Sequence, residues 1–419
     1  MTTTQPFRPD RGAAIERLCE FIPRAGRSYA SSRNFDFGPE NRGNVSALSP
    51  YLKHRLFTER ELLTAALRLH SEADAKKFVE EVFWRAYFKG WMEQHPSVWT
   101  AYRAGVNRQL DALASDERLH ARCERATSGQ TGIECFDAWS KELTETGYLH
   151  NHARMWFASI WVFTLQLPWE LGADFFYRHL LDGDAASNTL SWRWVSGLHT
   201  PGKTYLARGS NIRDFTNNRF DPSGQLADAA PAVSESAVHP LQPLPQSERN
   251  PVGRPYGLLI TEEDAFTEDV GLSAAPGAIL AAVATQARSP APVSMPVRQF
   301  ALGAVADGLS RAEKHFRVRG SQAATNDWST MLIQWAADHD LDTIVTAYAP
   351  VGPVAERIAK AKKELATRGI QLRQVRRDYD CVTWPYATRG YFKLKARIPE
   401  MIEKLRVRPD EAIARLAAG

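Results

Sequence analysis

The chain has 419 residues, with 52 Lys and Arg against 48 Asp and Glu, a net charge of +4 and four cysteines. That length exceeds one typical core and predicts two domains. The small net charge gives no argument for nucleic-acid binding by itself, although a local basic patch is compatible with it. No run of about 18 apolar residues occurs, so no transmembrane helix is expected. The opening residues, MTTTQPFRPDRGAA, lack the apolar stretch of a secretory signal. Cys19, Cys123, Cys135 and Cys381 form no CxxC pair, hence no zinc spacing and no disulfide framework. The expected compartment is a reducing cytoplasm, and a monomer is expected.

Up to about Phe220 the pattern is helical. FTERELLTAALRLH, DAKKFVEEVFWRAYFKGWMEQH and GADFFYRHLL each repeat apolar residues at i, i+3 and i+4. From Pro222 to Pro255 the chain is rich in proline, serine and alanine without periodicity, and reads as an extended connector. Beyond it, YGLLITEED reads as a buried strand ending in acids. SMPVRQFALGAVADGLSRAEKHF and DWSTMLIQWAADHD read as helices. LDTIVTAY, VAERIAKAKKELATRG and IQLRQVRRD read as strand, helix and strand. Strands alternating with helices predict a small parallel α/β sheet. The expected division is therefore a helical domain over 1–221, a linker over 222–255 and a Rossmann-like α/β domain over 256–419. RQVRR (Arg373 to Arg377) reads as a strand end with solvated charges. RDYDCVTWPYATRGYFKLKARI supplies aromatics for a cleft or for a domain interface.

The segment from Thr146 to Trp194 carries the candidate chemistry. Asn151, Arg154 and Met155 stand at i, i+3 and i+4 and share one helix face. An amide, a guanidinium and a thioether make that face too polar for plain core. Asp182 and Asp184 flank Gly183, expected to permit a tight turn, and Asn188, Trp192 and Trp194 follow. Such a set suits a large, flat, polar heterocycle with a phosphate tail.

Four blocks, in order, resemble the flavin-binding helical domain of the photolyase/cryptochrome family. They are YASSRNF from Tyr29, GNVSALSPYL (Gly43 to Leu52, beside the family's GTSRLSPYL), EEVFWRAYF (Glu80 to Phe88, beside ELIWREFY) and the Thr146–Trp194 segment. Together they span a little under half the chain. In most photolyases an α/β antenna domain precedes the helical domain; here the order is reversed, as in a circular permutation. An unrelated α/β domain fused to the helical one is the alternative.

The resemblance implies FAD as cofactor. It implies phosphate contacts from Ser46, Ser49 and the Leu48 amide, in a loop opening a helix, and from Tyr29 and Arg85. Val45 and Ala47 depart from the family's threonine and arginine there. It implies an Arg154–Asp182 pair beside the ring, Asp184 on the flavin's reactive edge, Asn188 facing N5, and Asn151 within reach. Trp192 is implied as the nearest electron donor and Trp169 as the next. The distal tryptophan is missing, because its position falls in DALASDE (Asp111 to Glu117), and Trp99, Trp156 and Trp161 are candidate substitutes. Glu81, Trp84, Asn151, Met155 and Trp194 stand where cyclobutane-dimer photolyases contact the lesion. The implied activity is light-driven electron transfer from reduced FAD to a pyrimidine dimer in damaged DNA. A light sensor and a dark flavoenzyme are the alternatives. After Trp194 the chain departs from the family. Lys203, Arg208, Arg213 and Arg219 are candidate phosphate contacts, and His152 stands where an arginine is usual.

Overall fold

The computed structural model describes residues 7–248, 255–272 and 274–407. The expected linker's residues 249–254 and the last twelve residues of the expected α/β domain lie outside these. The chain begins with helices α1 (Arg11–Phe21), α2 (Arg27–Ser32), α3 (Ser49–Lys53), α4 (Glu59–Leu69), α5 (Glu72–Gln94) and α6 (Pro96–Ser115). It continues with α7 (Glu117–Thr127), α8 (Glu134–Thr146), α9 (Asn151–Ser159), α10 (Trp169–His179), α11 (Ala185–Val195) and α12 (Gly209–Phe215).

Local signals set several of these ends. Thr58 and Glu61 form a reciprocal capping box at the start of α4. Ser71 accepts from Asp74 N to open α5, and Asp184 accepts from Ser187 N to open α11. Gly147, in the left-handed region, ends α8. The last turn of α9 widens into a π-helical segment, Ile160–Thr164, which carries Trp161.

α5 is buried on nearly every side, with Phe78, Val82, Phe83, Tyr87 and Met92 in the core. A helix apolar around its whole circumference has to be central, and α5 packs on α2, α4, α6 and α11. Its polar residues Lys89, Glu93 and Gln94 are also buried, each with a partner.

The second unit contains β1 (Gly257–Thr261), β2 (Ala278–Ala282), α13 (Met295–Phe316), β3 (Gly320–Ala323), α14 (Trp328–Asp338), β4 (Thr343–Ala347), α15 (Pro353–Ala366) and β5 (Gln371–Val375). All pairings are parallel, in the order β3-β2-β1-β4-β5. β1, β2 and β4 are buried throughout, as central strands of a sheet covered on both faces must be. Alternate residues divide between two layers. Leu259, Leu280 and Ile344 meet α14 and α15, whereas Leu258, Ile279 and Val345 meet Val305 and Ala312 of α13. The chain therefore combines a helical unit with a C-terminal five-stranded parallel α/β unit.

Two features differ from the sequence reading. The final helices, α16 (Asp378–Thr383), α17 (Tyr391–Lys395) and α18 (Ile398–Lys404), do not extend the sheet; α16 and α17 pack on α5. Gly90 makes this approach possible, since a Cβ there would lie 2.8 Å from Trp384 Cα. Residues 222–248 form no helix or strand, but they are fastened to the surface: Glu235 pairs with Arg193, His239 with Ser97, and Glu248 with Lys362 and Gln374 N.

Candidate functional site

A cavity of about 490 Å³ opens in the helical unit between α5, α9, α10, α11 and the loop before α3. Its size suits a bound small molecule or cofactor. Its wall brings together Tyr29, Ser46, Ser49, Glu81, Trp84, Arg85, Asn151, Arg154, Met155, Asp182, Asp184, Asn188, Trp192 and Trp194. Leu52, Phe78, Val82 and Phe176 supply apolar surface between them.

Two of the expected residues lie off this wall. Leu48 is 1% exposed, and its N–H faces Ser46 Oγ at 3.4 Å. Ala47, at φ 48°, turns the loop so that Leu48 enters the core. Trp169 lies behind the cavity with its ring 5.7 Å from that of Tyr102.

The polar groups are held firmly. Arg154 Nη2 lies 2.9 Å from Asp182 Oδ2, and Ser49 Oγ donates to the same oxygen at 2.5 Å. Ser49 is thus committed to Asp182. Burial works against the charged Arg154, but Asp182 and Tyr148 more than offset it and raise its pKa. Asp184 spends Oδ1 on the α11 cap and turns Oδ2 toward Lys89 at 3.3 Å and Arg85 at 3.9 Å. Burial disfavours this carboxylate, yet Lys89, Arg85 and Lys53 overcome that cost and hold its pKa below the usual range. Asn188 Nδ2 donates to Ala173 O at 2.8 Å, which leaves its carbonyl oxygen as the acceptor toward the cavity.

Gly183 serves space rather than a left-handed turn, because a Cβ there would lie 2.7 Å from Nη1 of Arg288. Arg288 reaches in from the α/β unit to the carbonyls of Tyr177 and Leu180.

At the mouth, Glu81 Oε1 lies 4.0 Å from Arg33 Nε, and the side chain is 48% exposed. Shielding by the surrounding wall raises its pKa, Arg33 working in the opposite sense. Trp194 stacks on Tyr205 with centroids 5.6 Å apart. Trp84 is backed by Tyr391 of α17. Trp192 meets Trp161 edge-on at 6.3 Å and Phe176 at 5.1 Å.

Sequence reasoning missed the charges beneath the cavity. Lys53, Lys89, Glu262, Glu263 and Arg288 are all buried, and Lys53 Nζ lies 2.6 Å from Glu263 Oε1. The available signals were the acids ending β1 and a lysine placed in the apolar repeat of α5. Arg377 also departs from expectation. It is 8% exposed and grips Asp264 through Nε at 2.6 Å and Nη2 at 2.9 Å, with Arg55 on the same carboxylate. Among the candidate phosphate contacts, Arg219 is bound to Asp36 and Arg213 lies near Asp214 and Asp221, whereas Lys203 and Arg208 are exposed.

Helical packing around a polar-rimmed cavity defines a cofactor-binding domain. The family model for the FAD binding domain of DNA photolyase matches residues 78–235. A deoxyribodipyrimidine photo-lyase of Synechococcus sp. is 35% identical over 196 residues, 45% of this chain and 39% of that protein. One from Streptomyces griseus is 34% identical over 242 residues, 52% of this chain and 51% of that protein. A class III photolyase structure from Agrobacterium tumefaciens aligns with TM-score 0.40 and 25% identity, covering 49% of this chain and 44% of that one. The helical unit is thus similar to the FAD-binding domain of the photolyase/cryptochrome family, with the family model falling on residues 78–235. The chain spans about half the length, or less, of these curated relatives.

The residues present fit FAD. Asp182 Oδ1 and Arg85 Nε are buried without a hydrogen-bond partner among the described residues, one an acceptor and one a cationic donor on the cavity wall. Burial raises the pKa of Tyr29, keeping its phenol neutral and able to donate to a phosphate oxygen. No helix among the described residues is long and apolar enough to cross a membrane.

Proposed function

We propose that this protein is a light-driven lyase that splits cyclobutane pyrimidine dimers in DNA. The observation that supports it is that the five expected lesion contacts, Glu81, Trp84, Asn151, Met155 and Trp194, line the same cavity as Arg154, Asp182, Asp184 and Asn188. Bound there, reduced FAD would supply light-driven electron donation to the dimer.

The chain's own residues bind, orient and shield. Tyr29, Ser46 and Arg85 hold phosphate oxygens. Arg154 and Asp182 set the ring's position, and Asn188 offers its carbonyl oxygen to a ring N–H. Trp84 and Trp194 stack the two flipped bases from opposite sides. Asn151 donates to a base carbonyl and Met155 supplies a polarisable wall. Glu81 hydrogen-bonds a thymine edge. Burial raises its pKa, with Arg33 opposing; a protonated carboxyl there would donate to a carbonyl oxygen gaining charge.

Access for a nucleic-acid backbone comes from α17 and the turn before it. Arg389 and Lys393 are exposed there, on the segment that packs against Trp84. In this reading the α/β unit is the family's antenna-type domain placed after the helical one, divided from it by the 222–255 segment.

The test is dark binding of the reduced protein to two oligonucleotides, identical except for one thymine dimer, followed by fluorescence anisotropy at several salt concentrations. The reading expects tighter binding to the dimer strand and an affinity that falls steeply with salt. Absent or equal binding of both strands would favour a light sensor built on the same cofactor.

A further inference from the structure

The carboxyl ends of β1 and β4 form the switch point of the sheet, where β1 pairs with β2 on one side and β4 on the other. Open α/β sheets bind ligands in the crevice at this position. Here the helical unit contacts it instead. Lys53 meets Glu263, Arg55 meets Asp264, His54 Nδ1 lies 2.7 Å from Glu262 O, and Glu93 accepts from Tyr348 and from Val351 N. One chain of charges continues from this junction to the cavity. Lys53 Nζ lies 2.6 Å from Glu263 Oε1, Glu263 Oε2 lies 4.0 Å from Lys89 Nζ, and Lys89 Nζ lies 3.3 Å from Asp184 Oδ2. The four side chains are 2% to 10% exposed.

We infer that Glu263 is a positioning residue for the cofactor cavity: from the end of β1, through Lys53 and Lys89, it keeps the Asp184 carboxylate in place on the cavity wall. The inference rests on the reading of Asp184 as a cofactor contact. Asp184 has its first oxygen committed to the α11 cap, so the direction of the second is set by the cations below it. Those cations need a counter-charge, because two buried ammonium groups beside Arg85 would otherwise repel one another. Glu263 supplies that charge. Glu262 is occupied elsewhere, accepting from Thr285 Oγ1 and Ala284 N.

The ionisable groups around Asp184 come from every neighbouring element. They are Lys89 and Arg85 of α5, Lys53 of α3, Tyr177 of α10, Glu262 and Glu263 after β1, and Arg288 after β2. The Arg154–Asp182 pair lies two residues away. The α/β unit thus acts on the cavity through Lys89, as an electrostatic counterpart to the helical unit.

The experiment is titration of flavin-stripped full-length protein with FAD, read by flavin fluorescence, from about pH 8 to about pH 5. Wild type should bind with constant affinity, because Asp184 stays ionised. In Lys89→Met, Asp184 loses the nearest of its cations, so its pKa should rise and FAD affinity should fall toward the acid end. Lys89→Arg should restore the flat profile. Glu263→Gln should weaken binding toward the alkaline end, as Lys53, left without its counter-charge, loses its proton. A purely structural role would weaken all variants equally at every pH. Flat profiles in folded Lys89→Met and Glu263→Gln would overturn the inference. Should Lys89→Met not fold, a flat profile in Glu263→Gln alone would overturn it. Failure of wild type to bind FAD would instead overturn the cavity reading.

Discussion

Trp84 of α5 and Tyr391 of α17 lie with ring centroids 3.7 Å apart, although 307 positions separate them in the chain. Tyr391 also donates from its hydroxyl to Glu80 O at 2.6 Å. The last described helices therefore buttress one wall of the cavity. Tyr391→Ala should destabilise the protein by about 3 kcal/mol through lost packing, and Tyr391→Phe by about 1 kcal/mol through the lost hydrogen bond. Urea unfolding measures both. Binding of dimer-containing DNA should weaken in Tyr391→Ala, since Trp84 loses its backing.

Glu93 gives a pH signature. Burial pushes its carboxyl up to about 7, with the Tyr348 hydroxyl and the Val351 amide pulling the other way. The unfolded carboxyl ionises near 4.5. Between these values the native state binds the extra proton, so stability falls as pH rises through the window. The loss from about pH 5 to pH 8 is on the order of 3 kcal/mol. Glu93→Gln should lack this decline, and chemical unfolding at the two pH values checks it.

Photoreduction should depend on Trp192. Its indole is 2% exposed, lines the cavity and touches Trp161. Trp192→Phe should slow light-driven flavin reduction strongly. Trp161→Phe should slow it next, given its edge contact, and Trp169→Phe should also slow it. Wild-type rates in all three variants would remove this relay.

Lesion recognition should separate from cofactor binding. Trp194→Ala should cost on the order of 1–3 kcal/mol of dimer binding through lost stacking, with FAD content unchanged. Glu81→Ala should lower the yield of dimer opening more than it lowers affinity, because Glu81 acts on developing charge. An equal loss of FAD in either variant would place that residue in the cofactor site.

How much of this could be read in the sequence follows from physical range. The helices of the first unit were legible because apolar spacing is local, and so were β1, β4 and β5. β2, with the sequence AILAA, and the four-residue β3 lie in weakly patterned stretches. Short strands of small residues take their identity from parallel neighbours far along the chain. The cavity's residues were legible as spaced motifs. Leu48 lies off the cavity wall because the backbone turn at Ala47 carries its side chain into the core. Lys89 and Glu263 were invisible as a pair, since nothing local relates a lysine in α5 to an acid 174 positions later. Arg377, read as solvated, is buried because Asp264 awaits it across the sheet end.

One cavity is proposed to hold FAD and to open pyrimidine dimers. The most direct measurement is illumination of the reduced, FAD-loaded wild type with dimer-containing single- and double-stranded DNA, following recovery of thymine absorbance. Light-dependent restoration of intact thymines, absent in the dark, is the predicted result. A flavin-loaded, reduced protein that restores neither substrate under light would contradict the account.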